Sequence, residues 1–388
     1  ESIANPYPMY SRLREVTPVY KTPLGVWIVT AFEEASFILN DKRFGKPVWN
    51  NVSSPELDRP TYNAVRHWMM FSNPPEHTRQ RRHIIPGFSR KRIEAMKPRI
   101  EAIVDELIDS KFSQGKMEFI ADFARPLPII VTCDLLGIPI EDRHLFEGEK
   151  QLLTKLIGGL HMSPEELTAC DQQIVDIHKY FSRLIEAKRA DPQDDLISLV
   201  AHKNDETMEL SDIELVSNLY LLFLAGYETT SSFLGNAILR FFQNADQLEK
   251  LKADLSLLSN SVSEMLRYEN SILHVSRSAL EDIELAGQSI KKGDVVWVSL
   301  AAGNRDPALY NNPDELDIER NAGKVLSFGG GIHRCLGEYL ARVEVEVAIE
   351  KILNRLPELK VMELDQPIWS KSIVFRGLTT LQLKWTVV

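Results

Sequence analysis

The 388-residue sequence predicts a mainly α-helical protein with small β-sheets. Two observations carry that expectation: apolar residues recur at helical spacing through four long segments, whereas strand-like runs are few and short. A third concerns organisation. No repeat, low-complexity tract or Gly/Ser linker interrupts the chain, which favours one continuous architecture, although length alone is compatible with two or three domains of roughly 100 to 200 residues. Hydrophobic residues at 44% and charged ones at 26% match an ordinary globular chain with a large core and exclude a disordered or collagen-like one.

In chain order, Val26–Thr30 is expected as a strand and Phe32–Asn40 as a helix. An amphipathic helix follows over Arg90–Phe112, then a weaker helical pattern over Asp142–Ile157 and a clear one over Ser163–Lys188. The helix expected over Ser211–Gln243 opens on Ser211-Asp-Ile-Glu214, a capping box whose two side chains satisfy otherwise orphaned backbone N–H groups. At ~1.5 Å per residue it would be on the order of 48 Å long. Its centre is unusual. Leu219-Tyr-Leu-Leu-Phe-Leu224, apolar on all sides and so expected buried, runs into Ala225, Gly226, Tyr227, Glu228, Thr229, Thr230, Ser231 and Ser232. A mid-helix Gly costs about 1 kcal/mol relative to Ala, and a buried carboxylate costs more unless paired, so something must compensate for both. Short strands at Ile283–Leu285 and Val295–Leu300, set off by the turn signals Gly287 and Gly293, precede a last helix over Gly337–Leu356.

Charge and cysteine usage narrow the class of function. The 45 Lys and Arg against 55 Asp and Glu leave a net charge of −10, which argues against a nucleic-acid partner. Cys133, Cys170 and Cys335 lie far apart with no C-x-x-C pair, so neither a zinc ribbon nor a disulfide framework is expected, and the cytoplasm is the natural location. The most apolar stretch, Leu219–Ala225, falls far short of the ~18 to 20 residues that span a bilayer, and no secretory signal opens the chain. No membrane span is expected. Between Arg79 and Ile93 stand Arg79, Arg81, Arg82, Arg90, Lys91 and Arg92 with no acid among them, either a solvated face or a docking surface.

The segment that carries chemistry most directly is Phe328-Gly-Gly-Gly-Ile-His-Arg-Cys335-Leu-Gly337, which leads into the last helix. Its glycines let backbone N–H groups approach the Cys335 sulfur, and a helix N-terminus with Arg334 alongside favours thiolate. Such a thiolate can act as a nucleophile or a metal ligand. The alternative is a buried structural cysteine.

The pattern Phe328-x-x-Gly331-x-His333-x-Cys335-x-Gly337 resembles the haem-binding loop of the cytochrome P-450 superfamily. The resemblance continues through Ala225-Gly226-Tyr227-Glu228-Thr229-Thr230, Glu264-Met-Leu-Arg267 and Asn73-Pro-Pro-Glu-His77-Thr-Arg-Gln-Arg81, with Asn73 where the family has Asp. With Pro126-Leu-Pro128, Leu136-Gly137 and Ala302-Gly-Asn-Arg-Asp306 it covers nearly the whole chain, and it implies one P-450 haem domain over residues 1–388. It implies haem b as cofactor, held through Cys335 as axial thiolate, with Phe328 in the haem loop and dioxygen as co-substrate; the thiolate pushes electron density that promotes O–O cleavage. His77, Arg81, Arg277 and His333 are the implied propionate partners. Glu264, Arg267 and Arg320 are the implied brace beneath the loop, in place of a solvated surface pair.

Ala225 and Gly226 would let the long helix approach and locally widen over the haem, with Glu228 relaying protons and Thr229 hydrogen-bonding bound oxygen or an ordered water. The alternative for mid-helix Ser and Thr, bonding back to the preceding turn, is kept for Ser231 and Ser232. The implied substrate residues are Met70, Leu221, Leu224, Leu273, Val275, Ile373 and Val374. All are apolar, as a fatty acyl, terpenoid, steroid or polyketide substrate requires. Residues from Leu152 to Met162 would form a lid, and His274 would accept a polar handle or be an ordinary bonded histidine. No flavin or iron–sulfur segment lies in the chain, so electrons would come from a separate ferredoxin or flavodoxin with its reductase, docking on the Arg79–Arg92 stretch with Arg334 and Arg342 beside it. The protein is expected to be a monomeric monooxygenase that hydroxylates or epoxidises. A peroxide-driven enzyme would need neither donor nor the Glu228–Thr229 pair, and a haem sensor or carrier would bring an output module.

Overall fold

The computed structural model of the chain describes residues 4–46, 58–146, 152–158, 161–202 and 210–387. In chain order the helices are α1 (Tyr7–Val16), α2 (Phe32–Asn40), α3 (Pro60–Arg66), α4 (Glu76–Ile84), α5 (Arg90–Phe112), α6 (Pro126–Leu136), α7 (Leu152–Ile157), α8 (Pro164–Ala190), α9 (Leu196–Ala201), α10 (Asp212–Gln243), α11 (Ala245–Ala253), α12 (Leu258–Tyr268), α13 (Leu300–Gly303) and α14 (Glu338–Arg355). The strands are β1 (Val19–Lys21), β2 (Trp27–Val29), β3 (Phe44–Gly45), β4 (Lys116–Glu118), β5 (His274–Ala279), β6 (Ile283–Leu285), β7 (Gln288–Ile290), β8 (Val295–Ser299), β9 (Lys360–Val361) and β10 (Gln382–Lys384). The chain divides into two compact units: one from Glu1–Gly45, Pro98–Arg125 and Thr229–Val388, the other from Lys46–Lys97 and Pro126–Glu228.

The first unit contains the sheets. The largest of the three has five strands in the order β1-β2-β8-β5-β3, with β2 and β8 parallel and the other pairs antiparallel. Val29, Val296 and Val298 are fully buried and share a core with Ile38, Leu39 and Leu326, so the sheet rests on α2 and on the start of the cysteine loop. β8 ends one residue earlier than its apolar run suggests, because the Ser299 hydroxyl accepts from Ala302 N (3.2 Å) and caps α13; Leu300 therefore starts a helix. The partner of β6 is β7, across a turn in which Ala286 and Gly287 both have positive φ, 49° and 73°. That is the two-residue hairpin geometry whose twist matches the strands.

Glu344 lies on the buried side of α14, which packs against α12. Burial pushes its carboxyl pKa well above 4.5, and Oε2 has no hydrogen-bond partner among the described residues. The folded chain therefore keeps this proton where the unfolded chain releases it, and the residue costs stability increasingly as pH rises above about 4.5. Glu344→Gln should gain stability over the parent between pH 5 and pH 8, read as urea midpoints at each pH. A difference that does not grow with pH would refute the assignment.

In the second unit, Arg59 Nε and Thr61 N both bond to Asp171 (2.7 and 3.0 Å) and tie α3 to α8. α8 opens on its own capping box, Ser163 with Glu166, beside the expected one at Ser211, where Ser211 N donates to Glu214 Oε2 (2.9 Å). The helical pattern over Asp142–Ile157 divides into a 3₁₀ turn, Ile140–Leu145, and α7; residues 147–151 lie outside the described residues, as do residues 159–160 of the expected lid. Among the described residues no helix is long and apolar enough to cross a membrane.

Candidate active site

The cysteine loop is built by backbone constraints that only glycine meets. Gly331 has φ 62°, and a Cβ there would stand 2.3 Å from the Leu39 carbonyl oxygen of α2, so a side chain is excluded by conformation and by space. Gly329 N donates to Leu326 O (2.7 Å), Arg334 N to Gly331 O (3.1 Å) and Cys335 N to Phe328 O (2.9 Å), folding the loop back on itself just before α14. Cys335 is exposed, whereas Cys133 and Cys170 are buried. That exposure removes the reading of Cys335 as a buried structural cysteine.

Beneath the loop, Glu264 and Arg267 are fully buried and bonded twice, Arg267 Nε to Glu264 Oε2 and Nη2 to Oε1, both at 2.7 Å. Arg320 Nε adds a bond to Glu264 Oε1 at 3.1 Å. The connection to the loop runs through two residues to which the sequence alone gave no role. Arg267 Nη1 donates to Asn304 O (3.1 Å); the Asn304 side chain accepts from Leu326 N (2.7 Å) and donates to Ser327 Oγ (2.8 Å), which donates to Leu266 O (2.8 Å). Asn304 lies inside the Ala302–Asp306 run, which was the available signal. Arg342 stacks over Phe328 at 5.2 Å from the ring centroid, and both Arg334 and Arg342 reach Glu338, at 2.7 and 3.6 Å. The two cations are therefore partly neutralised.

The collision of burial and polarity at the centre of α10 is resolved by position. From Leu215 to Leu239 every residue is buried except Ala225, Gly226, Glu228, Thr229 and Ser232. Residues 225, 228, 229 and 232 are spaced i, i+3, i+4 and i+7, so they form one accessible stripe on an otherwise interior helix. Leu221 and Leu224 precede it by one turn on the same face and are closed over, at 4% and 3% exposure. The local widening expected at Gly226 is absent: α10 stays α-helical throughout. A Cβ at Gly226 would meet Thr132 Oγ1 at 2.6 Å, so the glycine serves the close packing of α6 on α10.

In the first unit the backbone brings two groups of expected substrate residues together: Leu273 N donates to Val374 O (2.8 Å), and Arg376 N to Ser271 O (2.8 Å). Ile373 is 43% exposed, while Val275 and Val374 are half-buried. His274 projects to the opposite face of β5 from Val275 and Arg277, where its Nε2 bonds Tyr10 Oη (3.0 Å) and its ring lies by Trp297. Burial lowers its pKa to about 4, and its Nδ1 is buried with no hydrogen-bond partner among the described residues.

In the second unit Met70 is half-buried in a 3₁₀ turn that Asn218 Oδ1 holds through Met69 N (2.8 Å). His77 is buried on α4 and Arg81, one turn on, is half-buried. Asn73 has its own reason: its amide accepts from Lys46 N (2.8 Å) and donates to Lys46 O (3.0 Å), an exchange that a carboxylate cannot make. Three members of the basic stretch are ion-paired, Arg79 with Glu214, Arg90 with Glu94 and Arg92 with Asp194. Burial would raise the Glu214 pKa, but Arg79 and the Ser211 N–H bring it to about 2.

Arg277 tests the fit of a haem. It is 3% exposed, burial alone lowers its pKa to about 10, and it donates only to the neighbouring Ser276 carbonyl (3.0 Å), with no carboxylate in reach among the described residues. A buried guanidinium without an anion is costly, and a propionate is the kind of group that would offset it. An exposed thiol on a glycine loop and this arginine fit the cofactor.

Comparison with known proteins agrees. Residues 149–380 match the family model described as Cytochrome P450. The chain is 35% identical to the cytochrome P450 monooxygenase PikC of Streptomyces venezuelae over 98% of its own length and 91% of that protein's. It is 37% identical to the biotin biosynthesis cytochrome P450 of Bacillus subtilis, over 94% and 92%. The crystal structure of P450BioI in complex with hexadec-9Z-enoic acid ligated acyl carrier protein superposes with a TM-score of 0.92 at 35% identity, covering 99% of both chains. The chain belongs to the cytochrome P450 family and is an oxidoreductase of the monooxygenase class.

Proposed function

We propose that the protein holds haem b through the Cys335 thiolate and inserts one atom of dioxygen into a lipophilic small molecule of fatty-acyl or polyketide type, using electrons from an external ferredoxin or flavodoxin. The observation that carries this reading is the exposed Cys335 on a loop supported from below by the buried Glu264–Arg267 pair and the half-buried Arg320. When bound, the haem would supply dioxygen activation, and the protein supplies ligation, orientation and proton delivery. Arg277, His77, Arg81 and His333 would hold the propionates. Thr229 presents a hydroxyl and Glu228 a carboxyl on the accessible stripe of α10, an acid and an alcohol one residue apart that can hold and pass a proton. The apolar character of Met70, Leu273, Val275, Ile373 and Val374 supports a lipophilic substrate, as does the acyl chain in the P450BioI complex. Pairing of Arg79, Arg90 and Arg92 leaves a smaller basic docking surface than their number suggests.

The visible spectrum of the dithionite-reduced protein under carbon monoxide tests the ligation: a strongly red-shifted Soret band is expected, and a band of histidine or neutral-thiol type in intact protein would overturn the reading. Thr229→Ala should leave that spectrum unchanged yet raise peroxide released per electron consumed by about tenfold, since general acid–base groups contribute roughly 10²–10⁴-fold. Unchanged coupling would remove Thr229 from proton delivery.

A further inference from the structure

Glu269, just past the end of α12, is fully buried and accepts hydrogen bonds from three distant parts of the chain. Tyr7 Oη comes from α1 (2.7 Å), Arg240 Nε from α10 (2.6 Å), and Arg376 Nε from the turn that follows Ile373 and Val374. Arg376 is 2% exposed, lies over Trp369 at 3.7 Å from the ring centroid, and donates to Ala4 O (3.0 Å). Its carbonyl accepts from Asn236 Nδ2 (2.8 Å), one turn before Arg240 on α10. The next residue, Gly377, packs so closely that a Cβ there would stand 2.4 Å from Ser232 Oγ, on the stripe that includes Thr229.

We propose that Glu269 is a positioning residue for substrate selection: by holding Arg376 and Arg240 on one carboxylate, it fixes the turn carrying Ile373 and Val374 against the half of α10 that carries Thr229. This rests on the lipophilic-substrate reading above. The physical asymmetry lies in what can move. α10 is held by its own backbone ladder over 32 residues, whereas the turn is held by a few backbone bonds, and its tip, Ile373, is 43% exposed. Two guanidiniums, Arg376 buried and Arg240 half-buried, repel each other once they lose their shared carboxylate. The turn is the part free to respond, and an apolar surface that its supporting residues hold loosely gives less binding to the ligand it lines.

The test uses haem-loaded protein and a series of n-alkylimidazoles, from imidazole to dodecylimidazole, titrated by the Soret shift. The imidazole nitrogen binds the iron irrespective of the turn, and the alkyl tail reports the apolar surface. In the parent protein, affinity should climb with chain length. Glu269→Gln should lose about tenfold for dodecylimidazole, equivalent to ~1.4 kcal/mol, with imidazole itself unchanged within about twofold. Arg376→Lys keeps the charge but not the forked donor, and should lose part of the chain-length dependence even if the Gln variant fails to hold haem. Parent-like chain-length dependence in every variant that holds haem would overturn the positioning role. A parent series that is flat with chain length would overturn the lipophilic-substrate reading and this proposal with it.

Discussion

Cys335→Ser is expected to abolish the strongly red-shifted Soret band of the reduced, carbon monoxide-bound protein and to lower turnover by at least roughly a hundredfold, the scale on which loss of one transition-state-stabilising group is felt. The variant separates ligation from folding. The loop's bond at this position is made by the backbone, Cys335 N to Phe328 O, and survives the change, as do the φ angles of Gly329 and Gly331. On the proposed ligation the loss is of the anion: a serine hydroxyl is not ionised at neutral pH, so the electron push of a thiolate would disappear while the volume is nearly kept. Haem retained with a neutral-ligand spectrum is the predicted state. An unaltered red-shifted band would mean that another group is the working ligand.

Glu264→Gln should have the largest effect on stability, on the order of 3–5 kcal/mol, because it leaves Arg267 and Arg320 facing a neutral amide in a buried site. That is a large share of the ~5–15 kcal/mol by which most domains are stable. The damage should be local first. Arg267 also bonds the carbonyls of Asn304, Pro313 and Glu315, and Asn304 in turn holds Leu326 and Ser327 at the start of the cysteine loop. In a urea titration the thiolate-type spectrum should therefore disappear before far-ultraviolet circular dichroism falls. Simultaneous loss of both signals at the parent midpoint would show that the cluster does not brace the loop.

Much of the molecule was legible because it rests on local patterning. α2 and α5 have the bounds that apolar spacing gives, and α10 begins where its capping box lies. β5 was not legible. Its sequence, His-Val-Ser-Arg-Ser-Ala, lacks clean alternation, because its exposure pattern is set by β8 on one side and β3 on the other. The basic stretch was legible as a run of charges, but its pairing was not: Glu214 and Asp194 are far away in sequence and reach Arg79 and Arg92 only in the fold.

By itself, the sequence determined the family and the glycine-rich cysteine loop, since each depends on residue types at short, fixed spacing. Tertiary structure alone decided which polar groups are accessible and which are compensated. Exposure of Cys335, the accessible stripe on α10, the burial of Arg277 and the convergence of three segments on Glu269 all depend on neighbours distant in the chain, and burial and Coulomb energy are properties of those neighbours.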